Sequence, residues 1–282
     1  MSNLNELPSH IYSMLQKRLE QPQSLFLGSE VDKAYINLLN KEKWQRPAKT
    51  LRCSEIGKTC PRQLWYGYYR PELAAPLSGQ TLLKFAYGHI LEALVLQLTR
   101  DAGYKVERQQ ERFTKTFDNG WTLTGSIDAV IEGVLTDVKS VTAMSVKKFE
   151  KGLVEDPFGY KSQLNSYANM GNFSDMGFLT IEKEMGKLGY WPMGRRRDLF
   201  VTDFERAVDA VSSNTPPQGL MAEPQSETSP NLKLCTTCSY CDYKKECWKD
   251  ANDGQGIRTF LYSGKPVFLV KVLKEPKVEE AK

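Results

Sequence analysis

The chain has 282 residues, with 38 Lys and Arg against 34 Asp and Glu, a net charge of +4. That length allows one large domain or two small ones, the ordinary apolar and charged fractions fit a globular protein, and no apolar run reaches membrane-spanning length. The mild positive balance permits nucleic-acid binding without demanding it. The start Met-Ser-Asn-Leu-Asn-Glu has neither a basic segment nor an apolar signal core, so the expected compartment is the cytoplasm. Six cysteines there point to metal rather than disulfides.

The N-terminal part reads as helical. One short helix is expected around Ile11–Leu19 and another over Ser29–Leu39, with Ser29 as its N-cap. Lys41–Lys49 is basic and holds Trp44, Arg46 and Pro47, a solvated loop or a contact for a nucleic-acid backbone. In Cys53–Arg70, Ser54 can cap a short helix. Trp65, Tyr66, Tyr68 and Tyr69, mixed with Arg62 and Arg70, suit either base stacking or a helix packed into a core. Ser78–Ala102 is the clearest helix: Leu82, Phe85, Leu91, Leu94, Val95 and Leu98 form an apolar stripe, and Gly103 follows. His89 and Glu92 sit three apart on a neighbouring face.

Three strands are expected next: Tyr104–Lys115, Trp121–Ile131 and Val134–Ser140, with a turn at Asp118-Asn119-Gly120. Glu132-Gly133 breaks the last two into a tight hairpin. A two-residue loop pairs Ile131 with Val134, and counting outward sets Asp128 opposite Asp137, with Lys139 on the face of Asp137. Facing carboxylates repel, so they need a cation, and hard divalent metals prefer carboxylate oxygens. A solvated hairpin face is the alternative, but the apolar neighbours argue for burial, and buried acids need partners. Acids for a metal and a lysine for an anion suit phosphoryl transfer.

Helices are expected over Ser145–Gly152 and Pro157–Met170, the second carrying Tyr160, Gln163 and Tyr167 on one face. A strand pair, Met176–Glu184 and Lys187–Pro192, precedes the basic run Arg195, Arg196 and Arg197, a solvated loop or a phosphate contact. Thr202–Ser212 reads as an amphipathic helix and Pro216–Pro230 as a linker. Ile257–Tyr262 and Val267–Val272 form a candidate hairpin around Ser-Gly-Lys-Pro, and the Lys/Glu-rich tail beyond Glu275 carries no core pattern.

Ile127-Asp128, Asp137-Val138-Lys139 and Gln163-x-x-x-Tyr167, preceded by Tyr87-Gly88-His89-x-x-Glu92, together resemble the PD-(D/E)XK nuclease superfamily, and within it the RecB-type branch. The resemblance spans roughly residues 85–170. It implies an α/β restriction-endonuclease-like core, a central mixed sheet flanked by helices. It also implies that Asp128 and Asp137 hold Mg2+ or Mn2+ with His89 and the carbonyl of Val138, that Lys139 serves the reacting phosphate or its water, and that Gln163 and Tyr167 contact the nucleic acid or order the site. Without the resemblance, a lone helical histidine such as His89 reads as structural.

Cys235-x2-Cys238-x2-Cys241-x5-Cys247 places four thiols within thirteen residues. Zinc could take any four, while a close-packed triple with a remote partner suits an iron–sulfur cube. The triple Cys238, Cys241 and Cys247, with Cys60 upstream before Pro61-Arg62, resembles the iron–sulfur subset of RecB-type nucleases, which includes the AddB subunit and a CRISPR-associated nuclease. That resemblance implies a structural [4Fe–4S] cluster on Cys60, Cys238, Cys241 and Cys247, leaving Cys53 and Cys235 over; Cys235 remains an alternative to Cys238.

The expected organisation is an N-terminal helical region (1–77), a nuclease core (78–213), a linker (214–234), a cysteine and hairpin segment (235–275) and a disordered tail (276–282). The implied function is a metal-dependent DNA exonuclease acting on DNA with a free end, in recombination, repair, replication or CRISPR-type processing, alongside recombination or CRISPR adaptation proteins and without a membrane. Arg62, Tyr160, Gln163, Tyr167 and Arg195–Arg197 are the candidate nucleic-acid contacts. The competing reading is a non-catalytic nucleic-acid-binding protein with a structural zinc or iron–sulfur site.

Overall fold

The computed structural model describes residues 3–17, 25–39 and 45–281. The expected helix end at Leu19 and the stretch from Lys41 to Trp44 lie outside the described residues. The chain folds into two compact units: Met1–Gly57, Leu77–Asp156 and Tyr160–Asp203 form the first, and Lys58–Pro76, Pro157–Gly159 and Phe204–Lys282 the second. Among the described residues no helix is long and apolar enough to cross a membrane.

In chain order the elements begin with α1 (Leu7–Lys17), α2 (Leu25–Leu39), β1 (Thr50–Arg52), α3 (Cys53–Ile56), α4 (Pro61–Tyr69) and α5 (Gly79–Asp101). Strands β2 (Val106–Glu107), β3 (Arg112–Thr116), β4 (Thr122–Ser126), β5 (Ala129–Ile131) and β6 (Val134–Val141) follow. Then come α6 (Ala143–Glu150), α7 (Tyr160–Met170), β7 (Asp175–Glu182), β8 (Leu188–Gly194) and α8 (Arg197–Ser212). The C-terminal strands are β9 (Glu223–Pro224), β10 (Leu232–Lys233), β11 (Arg258–Tyr262) and β12 (Lys265–Lys271).

Local chemistry accounts for most boundaries. Ser78 caps α5, its hydroxyl accepting from the Thr81 N–H at 3.2 Å, and Gly103 after the helix takes φ +90°. Helix α2 starts at Leu25, so Ser29 lies inside it rather than capping it. Likewise Arg52, not Ser54, is the residue before α3. Helix α7 starts at Tyr160 instead of Pro157, because Gly159 adopts φ +73° immediately before it. Helix α8 begins at Arg197, five residues ahead of the amphipathic stretch expected from Thr202.

Two expected strands are each divided. Arg108 and Gln110, at φ +51° and +56°, separate β2 from β3, and Ile127-Asp128 separates β4 from β5. The two halves join different sheets, β1-β4-β3 and β2-β5-β6-β7-β8 among the described residues. A continuous run of β-forming residues carries no mark where it changes sheet, so periodicity alone reads one strand.

The five-stranded sheet is mixed: β6 and β7 run parallel and the other pairs antiparallel. One face packs Ala129, Ile131, Val138 and Leu179 against Leu7 and Ile11 of α1 and Val95 and Leu96 of α5. On the other face Phe149 of α6 meets Phe178 and Trp191, with ring centroids 5.4 Å and 6.2 Å away. A mixed sheet covered by helices on both faces is the α/β, restriction-endonuclease-like arrangement expected from the sequence.

In the second unit, Cys60 precedes α4 and Pro61 occupies its first turn, where no backbone N–H is needed. Trp65 and Tyr66 are buried with Cys241 and Tyr243. The Tyr66 and Tyr243 rings stack at 5.5 Å, and the Trp65 indole donates to the Ser213 carbonyl at 2.9 Å. These two aromatics of the Cys53–Arg70 stretch therefore serve packing. The strands pair in the order β11-β12-β10-β9, so the expected linker contributes β9. Ser263-Gly264 closes the β11–β12 hairpin with both φ angles positive, 49° and 75°. Residues 276–281 run beside β11: Glu280 bridges Phe260, and the Ala281 N–H donates to the Thr259 carbonyl at 2.9 Å.

One close approach in the first unit is tight enough to test. A Cβ at Gly125 would lie 2.8 Å from both Cε1 and Oη of Tyr167 and 3.2 Å from Cβ of Cys53. Gly125→Ala is expected to lower the unfolding free energy by about 1–3 kcal/mol, read from the midpoint of denaturant unfolding.

Candidate active site and cysteine pocket

The β5–β6 hairpin turns at Glu132 and Gly133, with φ +51° and +83°. Its ladder pairs Ile131 with Val134, Val130 with Leu135 and Ala129 with Thr136. The next step outward brings Asp128 to Asp137. There the ladder gives way to a side chain, and Asp128 Oδ2 accepts from the Val138 N–H at 2.7 Å. Because side chains alternate along β6, Val138 turns to the α1–α5 core while Asp137 and Lys139 share the other face.

Asp137 is 3% exposed. Its Oδ2 lies 2.6 Å from Lys139 Nζ and, apart from that ion pair, takes no hydrogen bond. The ammonium also sits 5.0 Å above the ring of Tyr160. Burial pushes the Asp128 carboxyl well above its ordinary value, and Asp137 and Glu92 add to it. Burial alone would lower Lys139, but Asp137 and Asp128 outweigh it and hold the ammonium above its ordinary value.

Glu92 is the residue the sequence reading did not assign to the site. Burial, then the charge of Asp137, raise its carboxyl to about 7. Its Oε1 accepts from Gln110 Nε2 at 2.7 Å. The only signal available was its place on the inner part of α5, three residues after His89. His89 itself is exposed and lines a pocket with Glu30, Lys33, Glu92, Gln109 and Gln110. Among the described residues no three His, Cys, Asp or Glu side chains already form a metal-holding group.

The donor set nevertheless suits a hard divalent cation. Asp137 pairs with the Lys139 ammonium, the charges of Asp128 and Glu92 act on the same groups, and one buried Asp137 oxygen has only that ion pair. Carboxylate oxygens and a nearby peptide at Val138 are the ligand types Mg2+ and Mn2+ take.

Helix α7 brings Tyr160, Gln163 and Tyr167 to one face as their spacing predicts. Gln163 Nε2 donates to Tyr167 Oη at 3.4 Å. Tyr167 is buried, which pushes its phenol up and keeps it protonated at neutral pH. Arg195 donates to Asn172 Oδ1 at 3.0 Å, and Arg196 pairs with Asp198 at 2.6 Å. Arg195 and Arg197 line a pocket with Lys115, Phe117, Asn169 and Phe200.

In the second unit, Cys60, Cys238, Cys241 and Cys247 line one pocket together with Arg62 and Trp248. Arg62, expected on nucleic acid, donates instead to the Pro217 carbonyl at 2.6 Å. All six cysteines are free thiols. Cys235 neighbours this pocket, its thiol hydrogen-bonded to that of Cys238, whereas Cys53 belongs to the first unit, its Sγ 3.8 Å from Met170 Sδ. Burial raises the Cys241 thiol to about 11 and also raises Cys238 and Cys247, with Arg62 opposing at Cys247. Protonated thiols at neutral pH bind a metal by releasing protons.

Several solved structures are similar to this chain at low identity. SSO0001 shares 16% identity over 78% of this chain and 92% of its own, with a TM-score of 0.49. An alkaline exonuclease (LHK-Exo) from Laribacter hongkongensis shares 10% identity over 57% of this chain and 89% of its own, with a TM-score of 0.37. A phage related exonuclease from Haemophilus somnus 129PT shares 11% identity over 74% and 96%, with a TM-score of 0.32. No protein-family model matches the chain, and no curated protein does.

The raised carboxyls give stability a definite pH dependence. Glu92 titrates at about 7 when folded against an ordinary 4.5, so the folded chain holds a proton that the unfolded chain releases. This contribution is full below pH 4.5 and is lost as pH rises through about 7. In chelator, the melting temperature of wild type minus that of Glu92→Gln is expected to fall across this window; a difference that stays level would contradict the raised carboxyl.

Proposed function

We propose that this chain is a metal-dependent nuclease that hydrolyses DNA phosphodiesters at or near an end. The observation that carries the reading is the buried Asp137, 2.6 Å from Lys139, with the half-buried Asp128 next to it, on a hairpin whose turn sets their register. Asp128 and Asp137, with the peptide at Val138, would hold Mg2+ or Mn2+, and His89 and Glu92 on α5 are the further donors. Such an ion, when bound, lowers the pKa of a coordinated water and polarises the phosphate.

The remaining work falls to the chain's own groups. Lys139, held above its ordinary pKa, stays protonated, so it orients the attacking water and donates to a phosphate oxygen rather than accepting a proton. Tyr160 beneath the ammonium confines it. Gln163, tied to the protonated Tyr167, presents an amide for a phosphate or base. Thr142 N-caps α6 immediately after β6, a second rigid element next to the site.

In the second unit, Cys60, Cys238, Cys241 and Cys247 would hold a structural [4Fe–4S] cluster, with zinc as the alternative. Their common pocket supports this set over Cys53, and Cys235, beside Cys238, stays the alternative to it. DNA-end processing in recombination, repair, replication or CRISPR adaptation is the setting this chemistry suits.

Lys139→Ala and Asp128→Ala are each expected to reduce cleavage of end-labelled linear DNA at least about a hundredfold in Mg2+ or Mn2+. Covalently closed circles should resist wild type; nicking at the linear rate would make it an endonuclease. For the cysteines, anaerobic purification with iron, sulfide and zinc analysis is the measurement. Cys60→Ser is expected to lose the bound metal while Cys53→Ser keeps it, and a metal-replete Cys60→Ser would remove Cys60 from the set.

A further inference from the structure

The three-stranded sheet of the first unit has two chemically opposite faces. Register places Arg52, Thr124 and Thr114 in one row across β1, β4 and β3, and Thr50, Thr122 and Thr116 in the next. Ser126 pairs with Arg112 at the end of β4. This face therefore holds six hydroxyls and two guanidiniums, with no carboxylate and no aliphatic side chain. The opposite face carries Leu51 and Leu123, 1% and 0% exposed, with the half-buried Phe113 and, on the outer strand, the exposed Lys115.

The hydroxyls form a ladder across the strands. Thr114 and Thr124 lie 3.0 Å apart, as do Thr116 and Thr122, and Arg112 Nε donates to Thr124 Oγ1 at 3.2 Å. Arg52, Arg112, Thr114 and Thr116 are exposed. Arg52 and Arg112 also line a pocket with Ser54, Thr124, Ser126 and Tyr167. The local charge is one-sided, because Arg46 lies close to Arg52 and the nearby Glu55 is bound to Arg46 at 2.6 Å. Burial pushes the Arg52 guanidinium down, and Arg46 and Arg112 add to that against Glu55.

Threonine and arginine without carboxylates is the composition that phosphate and sugar oxygens select. Residues on one face of a strand repeat about every 6.8 Å, close to the spacing of successive phosphates along a nucleic-acid strand. Strand β4 ends at Ser126, two residues before Asp128. We propose that the β1–β4–β3 face binds the sugar–phosphate backbone of the strand that leads into the Asp128–Asp137 site. Arg52 and Arg112 would meet phosphates, and Thr114, Thr116, Thr122 and Ser126 would donate hydroxyls. The inference rests on the nuclease reading for its direction, not for its chemistry.

Binding is measured separately from cleavage, on the Lys139→Ala protein in chelator, by anisotropy of a labelled oligonucleotide across a salt series. Adding Arg112→Gln is expected to weaken binding about tenfold whatever the sequence, and to lower the salt slope by about one. Thr114→Glu, an exposed position that puts a carboxylate on the face, should weaken it at least as much. Circular dichroism and the melting temperature report whether each variant is folded. Unchanged affinity and slope in both folded variants would overturn the proposal. So would inorganic phosphate competing as well as the strand at equal phosphate concentration, since that marks a single-anion pocket. Loss of binding in the variants beside a wild type that cleaves nothing would uphold the face and remove the nuclease reading.

Discussion

The register of one hairpin governs the rest of the first unit. Glu132 and Gly133 both adopt positive φ, which limits the loop to two residues and aligns Ile131 with Val134. Because side chains alternate along a strand, a slip of one residue would turn Asp137 and Lys139 toward Leu96 and Leu179. An ammonium and a carboxylate in that aliphatic layer would lose several kcal/mol in desolvation. The apolar residues of β5 and β6 and the polar ones between them thus enforce the same pairing.

Once the register is set, the charge balance follows. Asp137 pairs with the ammonium of Lys139, and the charges of Asp128 and Glu92 act on the same pair. Burial raises the carboxyls of Asp128 and Glu92, their negative neighbours add to that, and the same negative groups hold the Lys139 ammonium up against its own burial. The Val138 N–H donates to Asp128 Oδ2, while Asp137 Oδ2 keeps only its ion pair. Tyr167 and Gly125 fix how closely α7 approaches β4, so packing and chemistry share a helix.

The second unit depends on a different kind of constraint. Cys60 and Cys238 are separated by roughly 180 residues, and bringing them to one pocket closes a long loop whose entropic cost grows only slowly with length. Cys53, seven residues before Cys60, goes elsewhere and packs near Tyr167 and Met170. Two cysteines close in sequence thus end in different surroundings, because β1 and α3 belong to one unit and α4 to the other.

Local signals determined a large part of this protein. Positive-φ turn chemistry at Glu132-Gly133 and Ser263-Gly264, the capping serine of α5 and the period-3.6 face of α7 each act within a few residues, so the sequence by itself carried both hairpins, the long helix and the Asp128–Asp137–Lys139 grouping. What only the tertiary structure decided are relations between distant segments. The division of Trp121–Ile131 between two sheets depends on which strands are available to pair with each half. The raised carboxyl of the half-buried Glu92 depends on how α5 packs on β6. The hydroxyl and arginine face depends on β1 aligning with β4 across seventy residues of chain, an alignment no local pattern encodes, because the side chains that share that face come together only when the strands do.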